Sequence, residues 1–362
     1  MKDLTSLLKK GGFRLTKWLS NSHEVMESIP ESERATSVKD LDFDHAPIER
    51  ALDVQWRVAS DTFGFKIVIK DRPATRRGIL SVISSIYDLL GFIAPFILSA
   101  KLILQDLCKK KLGWDDKIPN EELERWKAWL EVLPKLEEFS IDRCFKPPGF
   151  EKVVSCQLHY FSDASQLAYG AVSYLRLVNP RGNVHCSFVM GKSRLAPLKP
   201  VTIPRMELSA AVLSTRLDTM FREELEFTVD ESIYWTESTC VLRYVENEDK
   251  RYQTFVANRV SAIRERSSKV QWRYVETKLN PADDASRGMT VESITESNRW
   301  SKGPCFLWQD EENWPKRPAA LDDKGEEEPR ASVESKPPLP VWVVLVHQIL
   351  AKRLSVSPHG SS

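Results

Sequence analysis

Three absences narrow the reading of this chain before any motif is considered. It carries six cysteines but no Cys-x-x-Cys pair, which argues against a structural zinc site. Its formal net charge is only +1, so no global field points to nucleic acid or to a membrane, and any basic face must be local. No apolar run approaches the roughly 20 residues that a bilayer crossing needs. The most apolar stretch, "LLGFIAPFILSA" (Leu89 to Ala100), contains Gly91 and Pro95 and ends at Lys101, so it reads as a buried core segment. "VWVVLVHQIL" (Val341 to Leu350) is also too short to span, and no membrane partner is expected. Met-Lys-Asp at the N-terminus has no apolar segment behind it, so no secretory signal is expected. Reduced thiols in an intracellular protein, cytoplasmic or nuclear and not secreted, follow as the expectation. No internal repeat is present.

What remains is ordinary in composition and specific in order. With 362 residues, 42% hydrophobic and 28% charged, the chain has room for two or three soluble domains. Leu4 to Ser22 reads as a helix end, a Gly11-Gly12 turn and a short strand, as though the chain begins in mid-domain. Residues 23–50 read as a connector. Val54 to Val58 and Phe63 to Lys70 alternate in the manner of two strands joined at Ser60-Asp61. From Thr75 to about Leu136 the apolar spacing is helical, with Pro95 dividing it. Trp126, Trp129 and Leu133 share a helix face, which suits a core better than a platform for stacking bases.

"CFKPPGF" (Cys144 to Phe150) marks a boundary. Candidate strands follow at Val153 to Ser162, Leu167 to Leu177, Val184 to Lys192, Ser232 to Thr236 and Val270 to Val275. Candidate helices lie at Pro204 to Arg222, Ser238 to Val245, Thr254 to Arg266 and Ala282 to Arg287. Three hairpin strands followed by alternating elements indicate a mixed α/β sheet. Beyond Trp314 the polar, Pro-rich composition predicts disorder.

Within this α/β unit, carboxylates recur at strand ends and helix starts. Asp163 closes an apolar run, Glu207 lies in the first turn of a helix, Glu237 sits where a strand meets a helix, and Asp283 and Asp284 open the last helix. Each has a plain structural use, as turn former, dipole partner or N-cap. Together, in this order, they can converge on one sheet edge. Clustered carboxylates repel, and two divalent cations about 3.5–4 Å apart would hold them. Mg2+, with Mn2+ as a substitute, prefers oxygen ligands and leaves room for phosphate oxygens. Such a site cleaves phosphodiesters.

Here the sequence resembles a known family. "HYFSDAS-x-x-A-x-GAV-x-Y-x-R", "TIPRMEL-x-A-A", "YWTES" and "NPADDASRG" are similar to the ribonuclease H domain of Pao/BEL-type retrotransposon polyproteins. "GGFRLTKWLSN", "VQWRVASDTFGFKI", "TRRGILSVISSIYDLLGFIAPFILSAKLILQ" and "GWDD" resemble the end of a reverse transcriptase palm and the region that joins it to the ribonuclease. The resemblance implies a ribonuclease H-like mixed five-stranded sheet with flanking helices, preceded by an α+β thumb/connection-like region. It divides the chain into a palm remnant and connector (1–50), a mostly helical thumb/connection-like region (51–146), the ribonuclease H-like domain (150–292) and a largely disordered tail (293–362). Carried over by motif, the metal-binding catalytic residues are Asp163, Glu207, Glu237 and Asp283, with Asp284 as the alternative to Asp283. The family has Asp where Glu237 stands. One extra methylene moves a carboxylate by roughly 1 Å, a displacement that can cost about 10²-fold in rate. The Tyr/Phe-x-Asp-Asp turn of a polymerase palm does not occur, so no polymerase activity is expected.

Residues 251–278 carry seven Lys/Arg against two acids. Arg259, Arg266 and Lys269 are therefore candidate nucleic-acid contacts, and Arg205, with Lys192 and Arg194, is a secondary candidate on either side of the loop before the Glu207 helix. His159 and His185 read as structural. The expected partner is an RNA–DNA hybrid or other nucleic acid, with other polyprotein parts as further possible partners. The expected function is metal-dependent cleavage of RNA in such hybrids. The alternative is a catalytically inactive retroelement remnant that binds nucleic acid or a protein.

Overall fold

The computed structural model describes residues 2–35, 48–51, 54–69, 71–225, 228–247, 252–296 and 298–317. The Pro-rich tail expected to be disordered and the segment Val341 to Leu350 lie outside the described residues, as does part of the expected connector.

The chain forms two compact units. The first comprises residues 1–66 and 137–143. It contains α1 (Lys2–Lys10), α2 (His23–Glu27) and an antiparallel sheet in the order β1 (Ile48–Ala51), β2 (Val54–Arg57), β3 (Thr62–Gly64), β4 (Ile141–Asp142). The strand expected after Gly12 is reduced to one bridge between Trp18 and Arg34, beside a small core of Met26, Ile29 and Ala35. The β2–β3 hairpin turns as expected, but β3 stops at Gly64 rather than running to Lys70.

The second unit holds residues 67–136 and 144 onward. The helices α3 (Arg76–Ser85), α4 (Ala94–Lys109) and α5 (Asn120–Val132) belong to it, so they share a unit with the downstream sheet instead of forming a region with residues 51–66. Pro95 does not divide a helix. It sits in the first turn of α4, where its missing N–H costs nothing. The break is the loop 86–93, closed by Asp88, whose carboxylate accepts from Phe92 N (2.7 Å) and Ile93 N (2.9 Å). Trp126 and Trp129 stack at 5.1 Å, and Trp129 stacks in turn on Phe96, so this face is core. Leu89 to Ala100 is mostly buried in the same core, and no described helix is long and apolar enough to cross a membrane.

The five-stranded sheet is built from β5 (Ser155–Ala164), β6 (Ala168–Val178) and β7 (Val184–Leu195), followed by α6 (Ile203–Glu224), β8 (Glu231–Thr236), α7 (Thr239–Glu246), α8 (Thr254–Arg264) and β9 (Trp272–Tyr274). Its strand order is β7-β6-β5-β8-β9, antiparallel across the first two hairpins and parallel from β5 to β8 to β9. This is the mixed ribonuclease H-like fold. Then α9 (Ala282–Arg287) packs on β5 and β6. Gly170 makes that approach possible, because a Cβ there would lie 2.6 Å from the Ala285 Cβ.

The fold also continues past residue 292, where a tail was expected. Beyond α10 (Val291–Glu296), α11 (Asn298–Lys302) brings Trp300 into full burial against Gly191 and Phe188. Phe306, Leu307 and Trp314 are buried too, and the Arg176 guanidinium donates to the Leu307 carbonyl at 2.8 Å. Trp300, Phe306, Leu307 and Trp314, large apolar side chains in a polar segment, were a local signal of this packing. None of the six cysteines is joined in a disulfide.

Candidate active site

Strand register puts the first two acids side by side. Ser162 of β5 pairs in parallel with Thr236 of β8, so Asp163 on β5 lies beside Glu237, the first residue past the end of β8. Neighbouring strands lie about 4.8 Å apart, which makes contact between these side chains unavoidable. The two carboxyl groups lie close enough for the Asp163 charge to help hold Glu237 above its ordinary value. Asp163 is 2% exposed. Asp163 Oδ1 and Glu237 Oε2 are both buried without a hydrogen-bond partner.

The remaining acids approach from helices. Glu207 lies in the second turn of α6, and its Oε2 accepts from the Ser238 hydroxyl at 2.5 Å. Ser238 caps α7 at the same time, accepting from Val241 N at 3.2 Å. Asp283 lies in the first turn of α9, and Arg287 one turn later donates to its Oδ1. Ser286, on the same short helix, donates to Asp163 Oδ2. Asp284 turns elsewhere, into a two-bond pair with Arg299 (2.5 and 3.1 Å). Of the two neighbouring aspartates, Asp283 is the one whose charge is felt by both Asp163 and Glu237.

Burial and mutual repulsion set the protonation of this group. Burial raises Asp163, the Ser286 hydroxyl works against that, and the Asp283 charge adds to it. Glu207 is raised by burial, opposed by Ser238. Glu237 is raised most, to about 7, by burial first and then by Asp163 and Asp283, against the Thr277 hydroxyl. A carboxyl whose pKa rises on folding binds its proton more tightly in the native state. Native stability is then highest below the unfolded value of 4.5 and falls as pH rises toward about 7. Metal-free protein is accordingly expected to melt at progressively lower temperature as pH increases across that window, and Glu237→Gln is expected to flatten the dependence. Thermal melts in EDTA at stepped pH would check this, and an unchanged slope in Glu237→Gln would contradict it.

The donor set is suited to a divalent cation in part. All candidate donors are carboxylate oxygens, the chemistry Mg2+ prefers. The Asp163–Glu237 pair offers two partnerless oxygens that a cation would satisfy. Glu207 and Asp283 are tied to Ser238 and Arg287, and among the described residues no group of three or more His, Cys, Asp or Glu side chains stands ready to hold a metal ion.

The arginines expected to contact nucleic acid lie beside this site along one seam. Phe255 is flanked by the Arg205 and Arg259 guanidinium carbons, 5.1 and 3.3 Å from its ring centroid. Arg259 Nε donates to Ser209, two residues after Glu207, at 3.0 Å. Arg266 follows the end of α8 and donates to the Ala262 carbonyl at 2.8 Å. Lys269 opens a short 3₁₀ turn and is exposed. Sequence reasoning missed Arg216, an exposed residue whose guanidinium pKa is lowered first by the partial burial of its charge and then by the positive charges of Arg266 and Arg194. It lies eleven residues after Arg205, three helical turns on, so the two share a face of α6. The pairings 205 with 255, 209 with 259 and 216 with 266 show that α6 and α8 run parallel. Lys192 is placed otherwise, donating to the Leu89 carbonyl at 3.0 Å. His159 is buried and accepts from the Trp235 indole, a structural role.

With this geometry in hand, comparison with known proteins is informative for one segment. Residues 75–238 match the Pao retrotransposon-like RNaseH-like domain. This region resembles the ribonuclease H-like domain of Pao-type retrotransposons. The match takes in Asp163, Glu207 and Glu237 and ends before Asp283, and it spans less than half of the chain. No match is found among curated proteins. Among solved structures, the N-terminal RNase H domain of rv2228c from Mycobacterium tuberculosis, fused to maltose-binding protein, is 9% identical with a TM-score of 0.25, covering 35% of this chain and 92% of that one. LC11-RNase H1 in complex with an RNA/DNA hybrid is 14% identical with a TM-score of 0.26, covering 36% and 93%. The foamy viral protease-reverse transcriptase in complex with dsDNA is 13% identical with a TM-score of 0.23, covering 64% and 45%.

Proposed function

We propose that this chain is a ribonuclease H-type endonuclease that cleaves the RNA strand of an RNA–DNA hybrid with Mg2+, for which Mn2+ can substitute. The observation that carries this reading is the Asp163–Glu237 pair, a buried and a half-buried acid at the carboxyl ends of parallel strands, each with a buried oxygen that no hydrogen bond satisfies. Divalent ions bound there would supply an activated water and stabilise the leaving oxygen. The protein's part is to hold Asp163 through Ser286, to offer Glu237 from the adjoining strand, and to bring up Glu207 and Asp283 from two helices. The arginines of the α6–α8 seam supply sequence-independent phosphate contacts, so binding should weaken with salt. Hybrid is distinguished by its shape and its 2′-hydroxyls. The wider reading, a fragment of a Pao/BEL-type polyprotein with the end of a reverse transcriptase upstream, rests on the sequence motifs. No polymerase reaction is included in it.

A second reading is favoured by Glu237 itself, which stands where the family has Asp, and by the tied state of Glu207 and Asp283. The fold would then survive as a hybrid-binding remnant without chemistry. A cleavage assay on labelled RNA in hybrid, single-stranded and duplex form separates the two. Cleavage of hybrid alone, abolished by EDTA, is expected, with Glu237→Asp faster by up to about 10²-fold because the carboxylate returns to the shorter reach. Failure of both proteins to cut hybrid with either Mg2+ or Mn2+ would leave the binding reading.

A further inference from the structure

Arg287 occupies an unusual place for a surface arginine. Its Nε donates to Asp283 Oδ1, one helical turn back on α9, and Gly288 ends the helix immediately after it with φ +90°. Its charge is also felt by Asp163 and Glu237, which further favour its protonated form. Among the described residues it is the one cation paired with any of the four carboxylates. An i,i+4 ion pair on a helix surface ordinarily contributes only a few tenths of a kcal/mol and has no wider role. Here the partner is one member of a cluster that includes a nine-tenths-buried Asp163 with a partnerless oxygen. The Arg287 side chain remains 60% exposed, so it can leave Asp283 without unpacking the core.

We infer that Arg287 is a built-in counter-cation of the carboxylate cluster, holding Asp283 while no metal is bound and giving it up when a divalent cation arrives. This rests on the metal-site reading above. It accounts for a cluster whose donors are correct in kind yet not assembled: Asp283 already has a positive partner. Arg287 thereby stabilises the metal-free protein and competes with the metal for the same carboxylate. Once displaced, its guanidinium stands at the mouth of the site, where a phosphate of the substrate would meet it.

Calorimetric titration of Mn2+ and Mg2+ into the full chain tests this on four proteins: wild type, Arg287→Gln, Arg287→Lys and Asp163→Asn. Removing one positive charge beside a partly exposed cation site should tighten metal binding about fivefold to tenfold in Arg287→Gln. Arg287→Lys, which keeps the charge, should stay within about twofold of wild type. Asp163→Asn should lose binding. Equal or weaker affinity in Arg287→Gln, with binding still lost in Asp163→Asn, would overturn the role of Arg287 and leave the metal site standing. No binding by wild type, or binding unaffected by Asp163→Asn, would overturn both. If Arg287→Gln fails to fold, the wild type still decides. The Arg287 Nε–H resonance of selectively labelled protein should move to the position of a solvated guanidinium as Mg2+ saturates, and an unmoved resonance would overturn the inference.

Discussion

Asp163→Asn is expected to lower hybrid cleavage by about 10³-fold or more, equivalent to about 4 kcal/mol of transition-state stabilisation, while making the metal-free fold more stable. The two effects share one cause. Asp163 is buried beside Glu237, and its Oδ1 has no partner, so the native state carries a charge that burial and the Asp283 carboxylate both disfavour. Asparagine has the same shape. Its carbonyl oxygen can take over the bond from the Ser286 hydroxyl, and its amide can donate to the orphaned Glu237 Oε2. Replacing a repulsive contact with a hydrogen bond should add about 1 kcal/mol to stability in EDTA. The same change removes an anionic ligand that no neighbour can replace. Single-turnover cleavage and urea unfolding, each with and without Mg2+, would check both halves. A variant that cuts within tenfold of wild type would remove Asp163 from the chemistry.

The second large effect concerns folding. Gly91→Ala is expected to destabilise the second unit by about 4 kcal/mol or more, a large share of a typical domain's 5–15 kcal/mol. Gly91 has φ +74°, a region that costs a non-glycine residue roughly 1–2 kcal/mol. A Cβ there would also sit 1.8 Å from the Gly191 carbonyl oxygen in β7, a backbone atom that cannot simply rotate away. Relief would require the loop 86–93 to lift. Lifting it would break the bond from Gly191 N to the Leu90 carbonyl (2.8 Å) and strain the bond from the Trp300 indole to the Phe92 carbonyl (2.7 Å). Denaturant unfolding would measure this, and a loss below about 1 kcal/mol would show that the loop yields freely.

Much of this site could be read from residue order because it is made of local signals. Asp163 and Glu237 each end an apolar strand, and once those strands are placed parallel and adjacent their side chains must touch. The helix near Ala282 to Arg287 was legible from "NPADDASRG". The choice between Asp283 and Asp284 was not, since it is made by Arg299, fifteen residues on, which claims Asp284. The hydroxyl donors Ser238 and Ser286 carry no pattern of their own, and they became visible only with the strands and helices assembled. Arg216 could have been found, because it repeats the Arg205 face after three turns. The union of α3, α4 and α5 with the sheet was hidden for another reason. It depends on two glycines a hundred residues apart and on a tryptophan still further along, and no window of sequence contains all three.

The meeting of Gly91 with Gly191 has a practical side. β7 is the outermost strand on its side of the sheet, and the loop between α3 and α4 lies against it, taking up the Gly191 N–H. A shortened version beginning near residue 150 would strip away this cover and offer a long, largely apolar strand to any other chain able to pair with it. Expression trials that trim the protein to its nuclease-like part should therefore yield insoluble or self-associating material, and trials that begin ahead of Thr75 should yield monodisperse protein.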